Sequence, residues 1–346
     1  MKLITTQADL SHALRTIAPA ISTSNSHPIL SCCLVAASGG TMTVTGFNLD
    51  LGITVTVPAA VDTPGTVALP YRLLAGLVSR MDDGEPVTLS DGAVTASSGS
   101  YGLAVQDAAD YPALPAVEAP SAELDLTAGV RACMAAVSTD SSKQILQGIH
   151  LAAGFMESTD GHRLMRVPVA LPDAIDLVLP AATMKLLQDR TVTVAAARGQ
   201  AVIDAGDGVV IYSRILDGKY PDVVALMPKS FQHAMTLDRH RFTRCLERVA
   251  LIAEAHNNVV KLAAVDGYMV ITAEADANNG KERLDYEGTA TGTWAFNVHY
   301  LLDGLKAMRS AETVTLSANS ATTPVVLTPT SMTEQTYLIM PIQIRE

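Results

Sequence analysis

The chain has 346 residues, 48% hydrophobic and 17% charged, with 23 glycines and 17 prolines, which excludes both a single small domain and a disordered polymer. Asp and Glu number 35 against 24 Lys and Arg, and aromatic residues make up 4% with Trp294 the one tryptophan; this excludes a uniformly basic nucleic-acid binder and an aromatic platform for single strands, and leaves a chain with segregated charge. No run approaches the roughly 18 apolar residues of a membrane span, the first residues turn polar before a signal-peptide core forms, and Cys32, Cys33, Cys133 and Cys245 fit neither a metal-ligand spacing nor a disulfide framework, so the expectation is a cytoplasmic protein with reduced thiols.

In chain order, a short alternating strand runs into a helix over Lys2 to Ala18, with Leu10, Leu14 and Ile17 on one face. Strands with period-two alternation follow at Thr41 to Thr45 and Leu51 to Val57. A second helix starts at Leu69-Pro70-Tyr71-Arg72-Leu73-Leu74 and leads to a strand at Pro86 to Leu89. The unit ends on Asp107-Ala108-Ala109-Asp110-Tyr111-Pro112 and a linker rich in Pro, Ala and Glu from Pro115 to Ala122.

The same order then returns twice. Strand and helix recur at Glu123 to Val137, with Val130, Cys133, Met134 and Val137 as the helix core, and at Ala234 to Ala253, with Phe242, Cys245, Leu246 and Val249. The second helix start recurs at Leu179-Pro180-Ala181 and at Phe296-Asn297-Val298, spaced by 110 and 117 residues, each followed by a strand, Val192 to Ala195 and Val314 to Leu316. Proline is expected just inside the first two helices, where its missing N–H is harmless, and Asn297 as the cap of the third. Asp217-Gly218-Lys219-Tyr220-Pro221 repeats the unit's tail, and a strand over Tyr337 to Pro341 closes the last copy. The period far exceeds the 20 to 50 residues of solenoids. It predicts an α+β chain of three similar domains, about 1–120, 121–230 and 231–346, each with two helices packed on antiparallel sheets.

The six helix windows, 9–18, 71–81, 127–137, 182–190, 238–254 and 297–309, hold twelve basic residues: Arg15, Arg72, Arg80, Arg131, Lys185, Arg190, Arg239, Arg241, Arg244, Arg248, Lys306 and Arg309. They hold six acidic ones, although the whole chain is acidic. Any amphipathic helix has a polar face, and Arg is a good helix former. Set in a repeat, these cations would line one surface and contact phosphates without reading bases. Six helices about 10 Å apart enclose a hole narrower than a duplex of about 20 Å, whereas twelve, from two chains, leave roughly 28 Å. A head-to-tail dimer would provide that closure.

The chain lacks a phosphate-binding Gly-Lys-Ser/Thr loop, a dinucleotide fingerprint and a nucleophile elbow. Asp160-Gly161 reads as a tight turn, and an acid–base role for Asp160 with His162 lacks a nucleophile in the pattern. The adjacent Cys32 and Cys33 point to opposite faces of a strand. The expectation is a non-enzymatic protein: a ring on duplex DNA or, alternatively, a β-rich oligomeric structural or assembly protein that uses the repeats for association alone.

Six stretches carry a resemblance. They are Thr159-Asp160-Gly161-His162-Arg163-Leu164, His27-Pro28-Ile29-Leu30, Leu146-Gln147-Gly148, Asp217-Gly218-Lys219-Tyr220-Pro221-Asp222, Phe296-Asn297-Val298-His299-Tyr300-Leu301-Leu302-Asp303 and Tyr337-Leu338-Ile339-Met340-Pro341-Ile342. In order and spacing, along essentially the whole chain, they resemble the bacterial β sliding clamp family, the processivity subunit of DNA polymerase III. The resemblance implies a non-catalytic head-to-tail ring dimer without cofactor or metal, with duplex DNA, a polymerase, a clamp loader and other short-peptide proteins as partners. It implies a peptide groove of Leu146, Thr159, Gly161, His162, Arg163, Leu164, Pro221, Leu226, Asn297, Tyr300, Pro324, Leu338, Ile339, Met340, Pro341 and Ile342. It further implies a dimer contact of Tyr101 and Leu103 against Leu251 and Ile252, and a DNA-contacting cation at Lys143. Three places depart from the family: Gln343 replaces a common arginine, with Arg345-Glu346 beyond it; Ser24, Asn25 and Ser26 replace a basic residue before Pro28; and Ala225 and Leu226 differ from the better-known members.

Overall fold

A computed structural model describes residues 1–24, 27–127, 129–152, 154–172, 175–255, 257–332 and 334–343. Asn25, Ser26 and the Arg345-Glu346 pair singled out above lie outside the described residues. Among the described residues six α-helices form, one per expected window: α1 (Gln7–Ile17), α2 (Tyr71–Val78), α3 (Val130–Cys133), α4 (Ala181–Leu186), α5 (Arg239–Ala253) and α6 (Val298–Ala307). The backbone gathers into two compact units, Met1–Leu124 with Thr191–Ile215, and Asp125–Arg190 with Leu216–Glu346.

In the first unit, Cys32–Ser38, Thr41–Phe47 and Leu51–Pro58 form an antiparallel meander, with Gly65–Pro70 beside Cys32–Ser38. Leu51–Pro58 also pairs with Val209–Arg214, Ile53 opposite Ile211, and the sheet continues through Gln200–Asp204 and Thr191–Ala197 to Ser121–Asp125. A five-stranded sheet runs in the order Ala60–Thr63, Lys2–Thr6, Pro86–Ser90, Ala93–Ala96, Gly99–Gly102. Helix α1 buries Leu10, Ala13, Leu14 and Ile17 and packs on α2 and on the strands Thr41–Phe47 and Leu51–Pro58. The buried Gln7 amide donates to the Val78 carbonyl at 2.9 Å and so satisfies a helix-end acceptor.

The second unit repeats this plan. Gly148–Ala152, Phe155–Thr159 and Arg163–Pro168 form the same meander beside Leu177–Pro180. Arg163–Pro168 pairs in turn with Thr336–Ile339, Leu164 opposite Leu338, and the sheet continues through Val325–Pro329, Thr313–Ala318 and His233–Asp238 to Glu287–Thr289. A third meander, Val259–Val265, Tyr268–Ala275 and Asn278–Asp285, has Gly292–Asn297 beside its first strand. Helix α5 lies on Tyr268–Ala275, Asn278–Asp285 and α6, burying Phe242, Leu246, Val249 and Ala253.

Local chemistry explains where the elements start. Thr6, Asp238 and Asn297 cap α1, α5 and α6, accepting from the N–H groups of Asp9 at 3.0 Å, Arg241 at 2.7 Å and His299 at 3.0 Å. Pro70 and Pro180 sit one position earlier than expected, at the N-cap, because each is still a paired residue of an edge strand, opposite Cys32 and Gly148; an edge tolerates the missing N–H. Helix α3 is shorter than its window: Gly129 offers no side-chain cap, and the chain tightens into a 3₁₀ turn, Met134–Ala136. The terminal strand stops at Ile339 rather than Pro341, because proline has no N–H for the ladder.

One close contact locks α6 to the terminal strand. A Cβ at Gly304 would stand 2.3 Å from the Tyr337 ring, and that ring is fully buried, with its hydroxyl donating to the Tyr300 carbonyl at 2.9 Å. Gly304→Ala would gain roughly 1 kcal/mol of helix propensity, yet it should destabilise the protein by about 1–3 kcal/mol net because the ring has nowhere to move. Chemical denaturation checks this; equal or greater stability in the variant would show that the contact is not limiting.

Candidate functional site

The site is built on the turn between Phe155–Thr159 and Arg163–Pro168. Gly161 holds φ of +94°, a conformation that favours glycine. The Asp160 carboxylate accepts the main-chain N–H groups of His162 at 2.8 Å and Arg163 at 3.0 Å, and Thr159 Oγ1 donates to the Arg163 carbonyl at 2.7 Å. Asp160 therefore serves the turn. Its link to His162 runs through the backbone and not the imidazole, so the pair has no acid–base geometry.

Arg163 extends from this turn as a tie. Its guanidinium donates to Asp160 Oδ2 at 2.9 Å and Asp303 Oδ2 at 2.7 Å, and lies over the Tyr300 ring at 4.3 Å. Burial alone would lower its proton affinity, but Tyr337, Asp303 and Asp160 reverse the direction and hold it charged. The tie joins the turn to α6, while Met340 N–H donates to the His162 carbonyl at 2.9 Å and lays the C-terminal segment along the same edge.

Beside this turn lies a buried apolar cluster. Leu146, Leu164 and Leu338 meet there with Val178, Leu216, Tyr220, Val223 and Val326, flanked by Ile145 and Met227. The expected set is thus partly gathered. Leu338 joins this cluster, whereas Ile339 is fully buried on the opposite side of the strand by period-two alternation. Leu226 is 55% exposed on the 3₁₀ turn Val224–Leu226 and Met340 is 38% exposed; Gly161, His162, Pro221 and Ile342 are also exposed, and Pro324, Pro341 and Tyr300 half-buried. Thr159 is spent on its turn and Asn297 on capping α6. Lys143 Nζ lies 3.4 Å from the Asp160 carbonyl and lines a small cavity with Tyr300 and His162.

Tyr220 and Val223 complete the cluster and belonged to no expected set; the Tyr-Pro of the Asp217 to Pro221 stretch is the signal that could have found the tyrosine. His150 stacks on Tyr220 at 4.6 Å between ring centroids. Its imidazole lies 2.8 Å from Asp176 and 3.4 Å from Glu157, and Glu157 also pairs with Arg166 at 2.8 Å. Burial alone would lower the His150 pKa, but the two carboxylates outweigh it and raise it.

The other candidates divide by environment. Arg239, in the first turn of α5, is largely buried, its Nε donating to the Ala311 carbonyl at 2.7 Å and so tying down the chain after α6; it also lines a cavity with Arg131, Lys306 and Arg309. Arg131 pairs with Asp189, and Arg248 with Glu282 at 2.6 Å. Arg15, Arg72, Arg80, Lys185, Arg190, Arg241, Arg244, Lys306 and Arg309 are exposed, and Arg131, Lys306 and Arg309 share a shallow cavity of about 490 Å³. Tyr101 is 40% and Leu251 76% exposed. Leu103 is buried within the chain, its N–H donating to the Gly92 carbonyl at 2.7 Å. Ile252 rests on its own chain over Gly280. All four cysteines are free and buried.

Comparison with known proteins fits this geometry. Residues 1–115 match the family described as DNA polymerase III beta subunit, N-terminal domain, and residues 224–343 match its C-terminal domain. The chain is 34% identical to the beta sliding clamp of Synechococcus elongatus over the full length of both, and 33% identical to that of Synechocystis sp. over 99% of this chain and all of the relative. Solved sliding clamps from Bacillus subtilis and Thermotoga maritima superpose with TM-scores of 0.92 and 0.89 at 22% and 20% identity, covering 100% and 99% of this chain and all of each clamp; they speak for the fold. The chain belongs to the DNA polymerase III β sliding clamp family. Its function is that of a DNA sliding clamp in replication, a processivity factor without catalysis of its own.

The His150 network gives a pH dependence with a definite sign. Because the folded pKa lies above the usual value of about 6.5, its stabilisation is fully present below the unfolded value and is lost as pH rises through the folded one. Wild type should therefore exceed His150→Gln in stability by more at about pH 5.5 than at about pH 8.5. Denaturation of both proteins at the two pH values tests it; a pH-independent difference would remove the network from the account.

Proposed function

We propose that two copies of this chain close head to tail into a ring around duplex DNA, each copy divided into three clamp domains at about 1–120, 121–230 and 231–346. One observation carries the reading. Each meander ends in a strand that seeks a partner: Leu51–Pro58 finds Val209–Arg214, and Arg163–Pro168 finds Thr336–Ile339. Among the described residues the third, Asn278–Asp285, ends its sheet unpaired on its outer side, as does Gly99–Gly102, which stands last in its own sheet as Val209–Arg214 and Thr336–Ile339 do in theirs before the join. Two complementary open edges on one chain are satisfied by a second copy, twice, and a closed ring leaves neither exposed.

Around such a ring the exposed cations of α1, α2, α4, α5 and α6, with Lys143, supply sequence-independent phosphate contacts. A groove over the apolar cluster takes short peptides of a polymerase, a clamp loader and other partners, with two or three apolar side chains filling it and polar groups at the turn fixing the backbone. Tethering then replaces polymerase dissociation by rapid rebinding at high local concentration. No helix among the described residues is long and apolar enough to cross a membrane, and we assign the ring to the cytoplasm, where chromosomal DNA lies.

Leu251 beside the open edge should bury against the partner chain, contributing about 1.5–3 kcal/mol at each of two interfaces. Leu251→Ala should raise the ring's dissociation constant at least tenfold by analytical ultracentrifugation and shorten retention on nicked circular DNA, with linear DNA releasing both proteins. An unchanged dimer at nanomolar concentration would reject the assignment, and equal retention on linear and circular DNA would reject encirclement.

Deleting Met340 to Glu346 removes the groove's C-terminal wall but neither open edge. A labelled clamp-binding peptide should bind wild type with micromolar affinity, about −8 kcal/mol, and the truncation not measurably, with the dimer intact. Equal affinity in both would reject the groove; loss of the dimer would make the segment structural.

A further inference from the structure

The C-terminal segment has a second side. After Met340 bonds to His162, Ile342 N–H donates to the Ala295 carbonyl at 2.7 Å. Within two residues the chain crosses from the turn at His162 to the edge strand Gly292–Asn297. Beyond it opens a basin of about 610 Å³, walled by Ile342 and Gln343 and floored by the outer face of Val259–Val265 and Tyr268–Ala275. The floor is polar because of strand alternation: Val260, Leu262, Ile271 and Ala273 turn inward to the core, which sends Lys261 and Glu274 outward.

The basin's charge is lopsided. Glu274 and Asp276 are both exposed, and among the described residues neither has a cation within ion-pair distance. Lys261 is the one cation among the lining residues, and the segment that forms the wall contributes the neutral amide of Gln343. The segment whose Met340 N–H meets the His162 carbonyl thus runs on into the basin's wall at Ile342 and Gln343.

We propose that the basin is a continuation of the groove that takes the flank of a partner's clamp-binding peptide and selects Lys or Arg there. This rests on the groove reading above. The occupant follows from that continuity and from charge: cationic side chains reaching Glu274 and Asp276 form solvent-exposed pairs, modest in energy and weakened by salt.

The test uses full-length clamp and fluorescein-labelled peptides with two Leu and one Phe as apolar anchors, carrying two Lys, two Ser or two Glu at either end. Anisotropy titrations should show the Lys peptide, with its charges at one of the two ends, binding about three- to tenfold more tightly than the Ser peptide, and the Glu peptide more weakly. In Glu274→Gln/Asp276→Asn the Lys advantage should vanish while the Ser peptide keeps its affinity. Both positions are exposed, and Asn accepts the left-handed backbone that Asp276 adopts at φ of +51°, so the variant keeps the fold. Gln343→Arg should reduce the advantage in the same direction. If the Ser peptide binds but flank charge changes nothing, or the Lys advantage survives in the double variant, the basin proposal is wrong and the groove stands. If no peptide binds at all, the groove reading fails and the basin with it.

Discussion

An unpaired strand edge is the constraint on which this structure turns. A meander of three strands with a fourth beside it leaves its last strand with a row of free N–H and C=O groups, and water alone protects such a row poorly from association. The chain meets this twice internally, through the pairing of Ile53 with Ile211 and of Leu164 with Leu338. The apolar residues at these joins are buried on the inward face, so register and burial reinforce each other: a slip of one residue would turn Leu164 and Leu338 away from their cluster. The ring we propose applies the same solution a third time, between chains.

The second join also assembles the buried apolar cluster on which the proposed groove is built. Leu338 reaches Leu164 only because the terminal strand adds to Arg163–Pro168, and Arg163 holds the arrangement by bridging Asp160 on the turn and Asp303 on α6. A guanidinium suits that post, since its planar fork can serve two carboxylates and still lie on an aromatic face. The same few residues therefore support the turn, the join and the proposed groove's rim. The C-terminal segment, anchored at His162 and Ala295, is in turn the wall that separates an apolar surface from a polar one.

Charge is distributed by use. Several helix cations are committed inside the protein: Arg239 to a carbonyl, Arg131 to Asp189 and Arg248 to Glu282. Those left exposed on α1, α2, α4, α5 and α6 carry the helical excess of positive charge on a chain whose net charge is −11. In the ring we propose, a limited number of exposed cations suits DNA that is held without being gripped, because each phosphate contact adds to affinity and to its dependence on salt.

Periodicity alone made much of the fold legible. Apolar spacing at 3.6 and 2 residues marked all six helices and most repeated strands, because burial of one face is a local property of the sequence. Composition likewise excluded broad classes of protein. The turn at Asp160-Gly161 was readable from its residue types, and Leu146, Leu164 and Leu338 from their motifs. What the sequence left open was whatever depends on neighbours distant in the chain. That Arg239 meets the Ala311 carbonyl, and that Leu103 is buried within its own chain, depend on segments that no local periodicity links to them. Ile339 and Leu338 are equivalent in a motif, but only the pairing with Arg163–Pro168 decides which of them joins the apolar cluster. Tyr220 and Val223 entered it for the same reason. Local pattern determines which residues need burial; the tertiary structure alone decides against what they are buried, since joins such as Ile53 with Ile211 and Leu164 with Leu338 unite segments far apart in the chain.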